Sequence, residues 1–329
     1  MIEVQRCTNK DSWDEFILDN GGHPLQLWSW GQVKANYGWQ AERLFLLKDE
    51  RIVGAIQVLV RKLPLPFRAF AYAPRGPVFL PNLVESDQAD LLKAVARLVK
   101  TSHHAITLSI EPDLLDFTPP TGWHRSTNKL LSAETLLLDL SKTESDLLAA
   151  MAKKTRQYIR KSDADVIIKQ AKNSDDIKVC LDIYKQTAKR AGFNLHVDKY
   201  YQDVKGLMGD FSPIFIAYKG SEPVSFLWLA ISEATAYELY GGMTEQGQSL
   251  RANYALKWHA IKKSKEWGID RYDFGGMVAG GVANFKQGWS DHSTEFAGTF
   301  DYPMSPLYVL WSRGLPFLKK TAQTIRRKH

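Results

Sequence analysis

The sequence predicts an α/β chain built from two copies of one domain. Three observations lead there. The chain has 329 residues, which suits two domains of about 150 residues better than one. Two hairpin-like stretches in it resemble each other. The elements that follow each hairpin also come in the same order.

The first hairpin runs over residues 43–48, turns at 49–51 and returns over 52–60. The second runs over 213–219, turns at 220–222 and returns over 223–231. Both set β-branched and aromatic residues around a short polar turn, which is strand–turn–strand chemistry. After the first come a strand at 69–80, a helix at 86–102 and a strand at 106–110. After the second come a strand at 237–243, a helix at 250–267 and a strand at 271–274. The first helix carries Ala89, Leu92, Val95, Ala96 and Val99 at helical spacing; the second carries Tyr254, Trp258 and Ile261 likewise. A strand–helix–strand unit wants its two strands parallel and adjacent. Two antiparallel strands leading into such a unit make an acetyltransferase-like (GNAT) domain, here in tandem.

Residues 146–161 read as one basic helix, with Lys153, Lys154, Arg156, Arg160 and Lys161 against the single acid Asp146. Ser141 with Glu144 reads as the capping box that starts it. The boundary therefore falls near 145. The domains are 1–145 and 146–299, and residues 300–329 are expected to pack back on the first. The stretch 313–329 holds six Lys or Arg and no Asp or Glu, a surface for phosphate or anionic lipid or a solvated tail.

Composition narrows the function. Hydrophobic residues are 44% and charged residues 24%, a soluble globular balance. The first residues do not form a signal peptide, and no apolar run approaches the ~18 residues that cross a bilayer. Cys7 and Cys180 match no disulfide framework, metal or redox spacing, which fits the cytoplasm. The net charge of +7 favours anionic partners without choosing among them. There is no Gly-x-Ser-x-Gly elbow, Walker loop or paired metal-type histidines, so no metal is expected. His103 and His104 sit at a helix end and read as structural.

Coenzyme-A acetyltransferases hold a pyrophosphate on backbone N–H groups at the start of the strand–helix–strand helix, in the pattern Arg/Gln-x-x-Gly-x-Gly/Ala. Here that place reads Gln246-Gly247-Gln248-Ser249-Leu250-Arg251, with Ser249 and Arg251 where the small residues belong. Nothing similar lies between Leu80 and Ser86. The fold is acetyltransferase-like, but its coenzyme-A cradle is missing from both copies.

Five stretches carry a further resemblance: Leu-Gln-Leu-Trp-Ser-Trp-Gly-Gln-Val-Lys at 25–34, Tyr-Ala-Pro-Arg-Gly-Pro-Val at 72–78, Thr-Ala-Lys-Arg-Ala-Gly-Phe at 187–193, Tyr-Asp-Phe-Gly-Gly at 272–276 and Asn-Phe-Lys-Gln-Gly-Trp at 284–289. In this order and spacing the chain resembles the FemABX family of non-ribosomal peptidyltransferases. It resembles the compact members, without the helical-arm insertion of the larger ones. The resemblance implies transfer of an amino acid from aminoacyl-tRNA to a stem-peptide amine of a peptidoglycan precursor, building the interpeptide bridge. The acceptor is UDP-MurNAc-pentapeptide or lipid II, and no cofactor is implied beyond aminoacyl-tRNA as co-substrate.

Residue by residue, the resemblance implies that Lys34 binds the precursor's diphosphate and that Arg190 holds it too, between the domains. Lys286 is the expected catalytic cation, near the oxyanion or the ribose leaving group. Phe285 precedes it in the same stretch and counts as substrate-binding. Tyr254 either contacts the acceptor or is a core aromatic. Arg75 either faces the cleft or holds a turn shaped by Gly76 and Pro77. Family members often carry an aspartate after Gly-Pro-Val; here Phe79, Leu80 and Pro81 follow. Proton transfer is therefore expected to be substrate-assisted. Asp273 is expected to close the strand end before Gly275-Gly276.

Two other readings compete. One is a coenzyme-A-dependent N-acyltransferase, against which the missing cradle counts. The other is a non-catalytic RNA or membrane-surface adaptor. A lipid-linked acceptor brings peripheral contact with the inner membrane face, for which Leu307, Leu310, Trp311, Leu315 and Phe317 are suited unless they are buried on the first domain.

Overall fold

The computed structural model describes residues 1–276, 288–290 and 292–314. The chain forms two units. One gathers Met1–Asn20, Leu25–Ala133 and the described residues from Glu295 onward; the other gathers Gly21–Pro24 and Glu134–Thr294.

The first unit begins with β1 (Ile2–Arg6), α1 (Lys10–Asp19), α2 (Trp28–Ala35), β2 (Gln40–Lys48) and β3 (Arg51–Lys62). It continues with β4 (Ala69–Pro74), β5 (Val78–Phe79), α3 (Glu85–His103), β6 (Ala105–Glu111) and β7 (His124–Arg125). Strands β1 to β4 pair antiparallel in sequence order, and β6 lies parallel to β4. The β2–β3 turn has Asp49 and Glu50 at φ 49° and 65°, the left-handed pair that a two-residue hairpin needs. Helix α3 crosses over from β4 to β6. Its Leu91, Leu92, Val95, Ala96 and Val99 are buried in one cluster with Ile56, Val58, Ala71 and Leu108. Each of its larger apolar side chains contributes about 1.5–3 kcal/mol by leaving water. The strand expected at 69–80 is interrupted, because Arg75 is left-handed (φ 52°).

The second unit opens with β8 (Glu134–Thr135), β9 (Leu137–Asp139), α4 (Glu144–Ala150) and α5 (Lys153–Asp165). The expected single helix at 146–161 is thus two helices, and the expected cap is wrong. Thr143 caps α4 by accepting from Asp146 N at 3.1 Å, while Ser141 donates to Asp139 at 2.6 Å. Then come β10 (Ile167–Gln170), α6 (Ser174–Ala191), α7 (Asp198–Met208), β11 (Ile214–Lys219), β12 (Glu222–Ile231) and β13 (Thr235–Met243). The unit's later elements are α8 (Glu245–Leu250), α9 (Ala252–Glu266), β14 (Arg271–Asp273) and β15 (Thr294–Glu295). The helix expected at 250–267 is broken at Arg251, which sits at φ 55° between α8 and α9. The sheet order is β10-β11-β12-β13-β14-β9, antiparallel except for the β13–β14 pair.

The last described strand, β16 (Phe300–Pro303), pairs antiparallel with β6 and β7, so it joins the first unit's sheet. Trp311 follows it and packs on Phe67 and Phe70 of that unit, whereas Leu310 is exposed. Leu315 and Phe317 lie outside the described residues. No helix among the described residues is long and apolar enough to cross a membrane.

The repeat is now visible in full. Strand, two helices, three strands, crossover and parallel strand occur as β1 to β6 and again as β10 to β14. These are two GNAT-like domains.

Candidate functional site

In the second unit the parallel strands part company early. β13 pairs with β14 only through Thr235, Ala236 and Tyr237. From Glu238 onward β13 leaves its neighbour, and a cavity of about 450 Å³ opens there. Ligand sites collect at the carboxyl ends of parallel strands for this reason. Its walls include Tyr184 and Thr187 of α6, Phe226 of β12, Tyr240 of β13, Leu256 of α9, and Phe274-Gly275-Gly276 after β14. Gly275 has φ 68°, and a Cβ on it would come 3.1 Å from the Glu238 carbonyl oxygen.

Among the described residues, two charged side chains line this cavity, Glu238 and Lys257. They are 9% and 11% exposed and form an ion pair in which both carboxylate oxygens accept from Lys257 Nζ. Tyr272, fully buried, donates its hydroxyl to Glu238 Oε1 at 2.9 Å. Burial, and then the charge of Glu238, holds the Tyr272 hydroxyl well above the ordinary tyrosine range, so it stays a donor. Burial likewise raises Tyr184 and Tyr240. Next door, Asp273 Oδ1 accepts from Gly275 N at 2.8 Å and from Thr135 Oγ1 at 2.5 Å. The acid closes the strand end, as its position before two glycines suggested. Neither Glu238 nor Lys257 was singled out from sequence. They stand 19 residues apart on a strand and a helix, in no spacing that a motif describes.

Arg190 lies on the exposed last turn of α6, and its Nη2 donates to the Met243 carbonyl at 2.8 Å. With Lys189, Thr244, Glu245 and Gln246 it borders a wide polar groove of about 860 Å³. This groove is where a coenzyme-A pyrophosphate would need free amides. Instead Gly247 N donates to the capping Thr244 Oγ1 at 3.0 Å, and a Cβ on Gly247 would lie 2.1 Å from the Val224 carbonyl oxygen. The glycine serves close packing of α8 on β12. The amide at its head is occupied from within the chain.

Tyr254, one turn before Lys257 on α9, is half-buried. It stacks on Trp289 (centroids 5.9 Å apart) and meets Tyr158 edge-on at 5.1 Å. Burial and then Tyr158 raise its hydroxyl. Lys286 and Phe285 lie outside the described residues.

Lys34 and Arg75 belong to the first unit. Lys34 ends α2 half-buried, its Nζ 4.4 Å above the Trp30 ring. The tryptophans and glycine of that stretch have structural duties. Arg43 lies 3.6 Å over Trp28 and donates to its carbonyl, and burial lowers Arg43 to about 10. A Cβ on Gly31 would meet Gln57. Arg75 is 3% exposed and lies 3.7 Å over the Phe296 ring, and its Nε has no hydrogen-bond partner among the described residues. Gly76 beside it packs on Gln26, which bonds Pro74 O and Gln57 N.

A FemAB family model matches residues 8–118, 122–222 and 218–313. The chain belongs to the FemAB family. It is accordingly an enzyme, a transferase. Lipid II:glycine glycyltransferases of Staphylococcus aureus strains MRSA252 and USA300 are each 21% identical to this FemAB chain over a 421-residue alignment covering 99% of both partners. Among solved structures, that of FemX covers 94% of this chain and 100% of its own at a TM-score of 0.83 and 18% identity. A tandem GNAT protein from the clavulanic acid biosynthesis pathway covers 93% and 99%, with a TM-score of 0.54 and 12% identity. At these identities the structures speak for the fold, two tandem GNAT-like domains.

Proposed function

We propose that this FemAB-family transferase moves an amino acid from aminoacyl-tRNA to the stem-peptide amine of a peptidoglycan precursor. The carrying observation is the match over 99% of both chains to a lipid II:glycine glycyltransferase. The internally capped head of α8 weighs against the coenzyme-A alternative on the same fold.

In the reaction the acceptor amine attacks the ester carbonyl. A C–N bond forms, the ester C–O bond breaks, and the terminal ribose oxygen leaves with the proton that the amine gives up, directly or through water. Lys286 stabilises the oxygen that turns negative; loss of one such donor typically costs about 100- to 1,000-fold in rate. Lys34 and Arg190 hold the diphosphate of UDP-MurNAc-pentapeptide or lipid II, Arg190 through its forked donors. Phe285, Tyr254 and Arg75 complete the substrate contacts. The enzyme works in the cytoplasm, and a lipid-linked acceptor brings it to the inner membrane face.

The test combines the full chain with a pool of charged bacterial tRNA and a lysine-containing muramyl pentapeptide precursor, nucleotide- and lipid-linked in turn. Mass spectrometry of the precursor is expected to show a gain of one amino-acid residue, lost with ribonuclease and reduced about 100-fold or more in Lys286→Ala. No gain with either acceptor refutes the reading. Full activity in Lys286→Ala refutes the role of that lysine.

A further inference from the structure

Aminoacyl transfer brings two primary aliphatic amines to one enzyme: the α-amine of the donor ester and the side-chain amine of the acceptor. We propose that the cavity beside β13 is a primary-amine site, in which Glu238 accepts an N–H of one of them. The assignment rests on the transfer reaction proposed above for its choice of ligand, and on the cavity itself for its chemistry.

The lining selects against anions. Among the described residues that line it, Glu238 and Lys257 are the only charged ones, and they cancel. A phosphate would gain nothing there that it would not gain more readily beside Lys189 and Arg190. An amine finds three things it needs. The first is an acceptor. Among the described residues, Glu238 Oε1 takes Lys257 and Tyr272, but Oε2 takes Lys257 alone, and a carboxylate oxygen accepts two donors. The second is a set of aromatic faces. Tyr184, Phe226, Tyr240 and Phe274 line the same cavity as the carboxylate, and their rings favour an aliphatic chain ending in nitrogen. The third is room. About 450 Å³ takes a short amino-acid chain, and Gly241-Gly242 and Gly275-Gly276 keep two walls free of side chains.

Lys257 has a further consequence. A carboxylate alone would hold a bound amine in its ammonium form, which cannot attack a carbonyl. The cation beside it offsets that attraction, so an amine docked on Oε2 gives up its proton more readily. Lys257 is thus a positioning residue for Glu238, and Tyr272 holds the carboxylate by its hydrogen bond to Oε1.

The experiment measures binding of four small probes to the full chain by ligand-observed NMR. The donor arm compares L-alanine methyl ester with its N-acetyl derivative. The acceptor arm compares Nα-acetyl-L-lysine methylamide with the Nα,Nε-diacetyl form. The proteins are wild type, Glu238→Gln, and the double variant Glu238→Gln/Lys257→Met, which removes both charges together and leaves no lone buried cation; thermal unfolding verifies each fold. In wild type, one free-amine probe is expected to bind at least about tenfold tighter than its acetylated control, and both variants are expected to abolish the difference. The arm that shows the preference identifies the amine. No preference in either arm overturns the site, and so does a preference that survives in the double variant. A transfer assay separates this inference from the reading it rests on. Amine discrimination without transfer from charged tRNA leaves the site and removes the aminoacyl reaction. Transfer whose KM for both substrates is unchanged in Glu238→Gln leaves the reaction and removes the site.

Discussion

Gly247 leaves no space for a side chain, because a Cβ there would sit 2.1 Å from a backbone oxygen of β12. Backbone atoms cannot yield as a flexible side chain can. Gly247→Ala is therefore expected to push α8 off β12 and cost about 3 kcal/mol, read as a lower denaturation midpoint in urea. The stretch around Gly247 lacks the coenzyme-A cradle in sequence, with Ser249 and Arg251 where the small residues belong. The structure agrees: a cradle amide would point at a ligand, whereas Gly247 N points at Thr244. The same scale limits what sequence can reveal of the site. Lys34, Arg75, Arg190 and Tyr254 stand in stretches that a family resemblance can match. Glu238 stands alone between Tyr237 and Leu239, and only the parting of β13 from β14 turns it from a strand residue into the acid of a cavity.

Elements with a long apolar pattern were legible. β2 and β3 show it in the hairpin, and α3 shows it in residues three and four apart. The short strands were not. β9 has three residues and β16 has four, too few to carry a period, and their partners lie far along the chain, as in Asp301 opposite Ser109. The break between α4 and α5 was also silent, since no glycine or proline marks it. Its cause is tertiary. Met151 is buried, and the Arg156 guanidinium folds back to bond the carbonyls of Leu148, Ala149 and Met151, which end α4. A side chain that satisfies terminal carbonyls is doing the work of a C-cap. Arg156→Ala is expected to cost about 1–2 kcal/mol in urea unfolding, with Arg156→Lys recovering part of it. An unchanged midpoint in Arg156→Ala would mean that water replaces the guanidinium at no cost.

At the scale of the whole chain, the duplication has exchanged its closing strands. The parallel pair β4–β6 is closed by β16, which follows the second copy, and the pair β13–β14 is closed by β9, which follows the first. Residues 1–145 thus lack a strand of their own sheet and would expose the edge of β6. That fragment alone is expected to aggregate or to give no cooperative thermal transition, and a soluble, cooperatively folding fragment would show β16 to be dispensable. Charge is the other property of the whole. The chain carries 43 Lys and Arg against 36 Asp and Glu, and on α5 Lys153, Lys154, Arg160 and Lys161 are exposed. If these meet the tRNA backbone, each phosphate contact releases counterions, so kcat/KM for charged tRNA falls as salt rises. The log–log slope steepens by about 0.7–0.9 per contact. Changing all four to alanine is then expected to flatten that slope by up to about 3.6, while the salt dependence for the precursor stays as it was. A slope that does not move makes the basic face of α5 a solvated surface, and the tRNA contacts must be sought among the other cations of the chain.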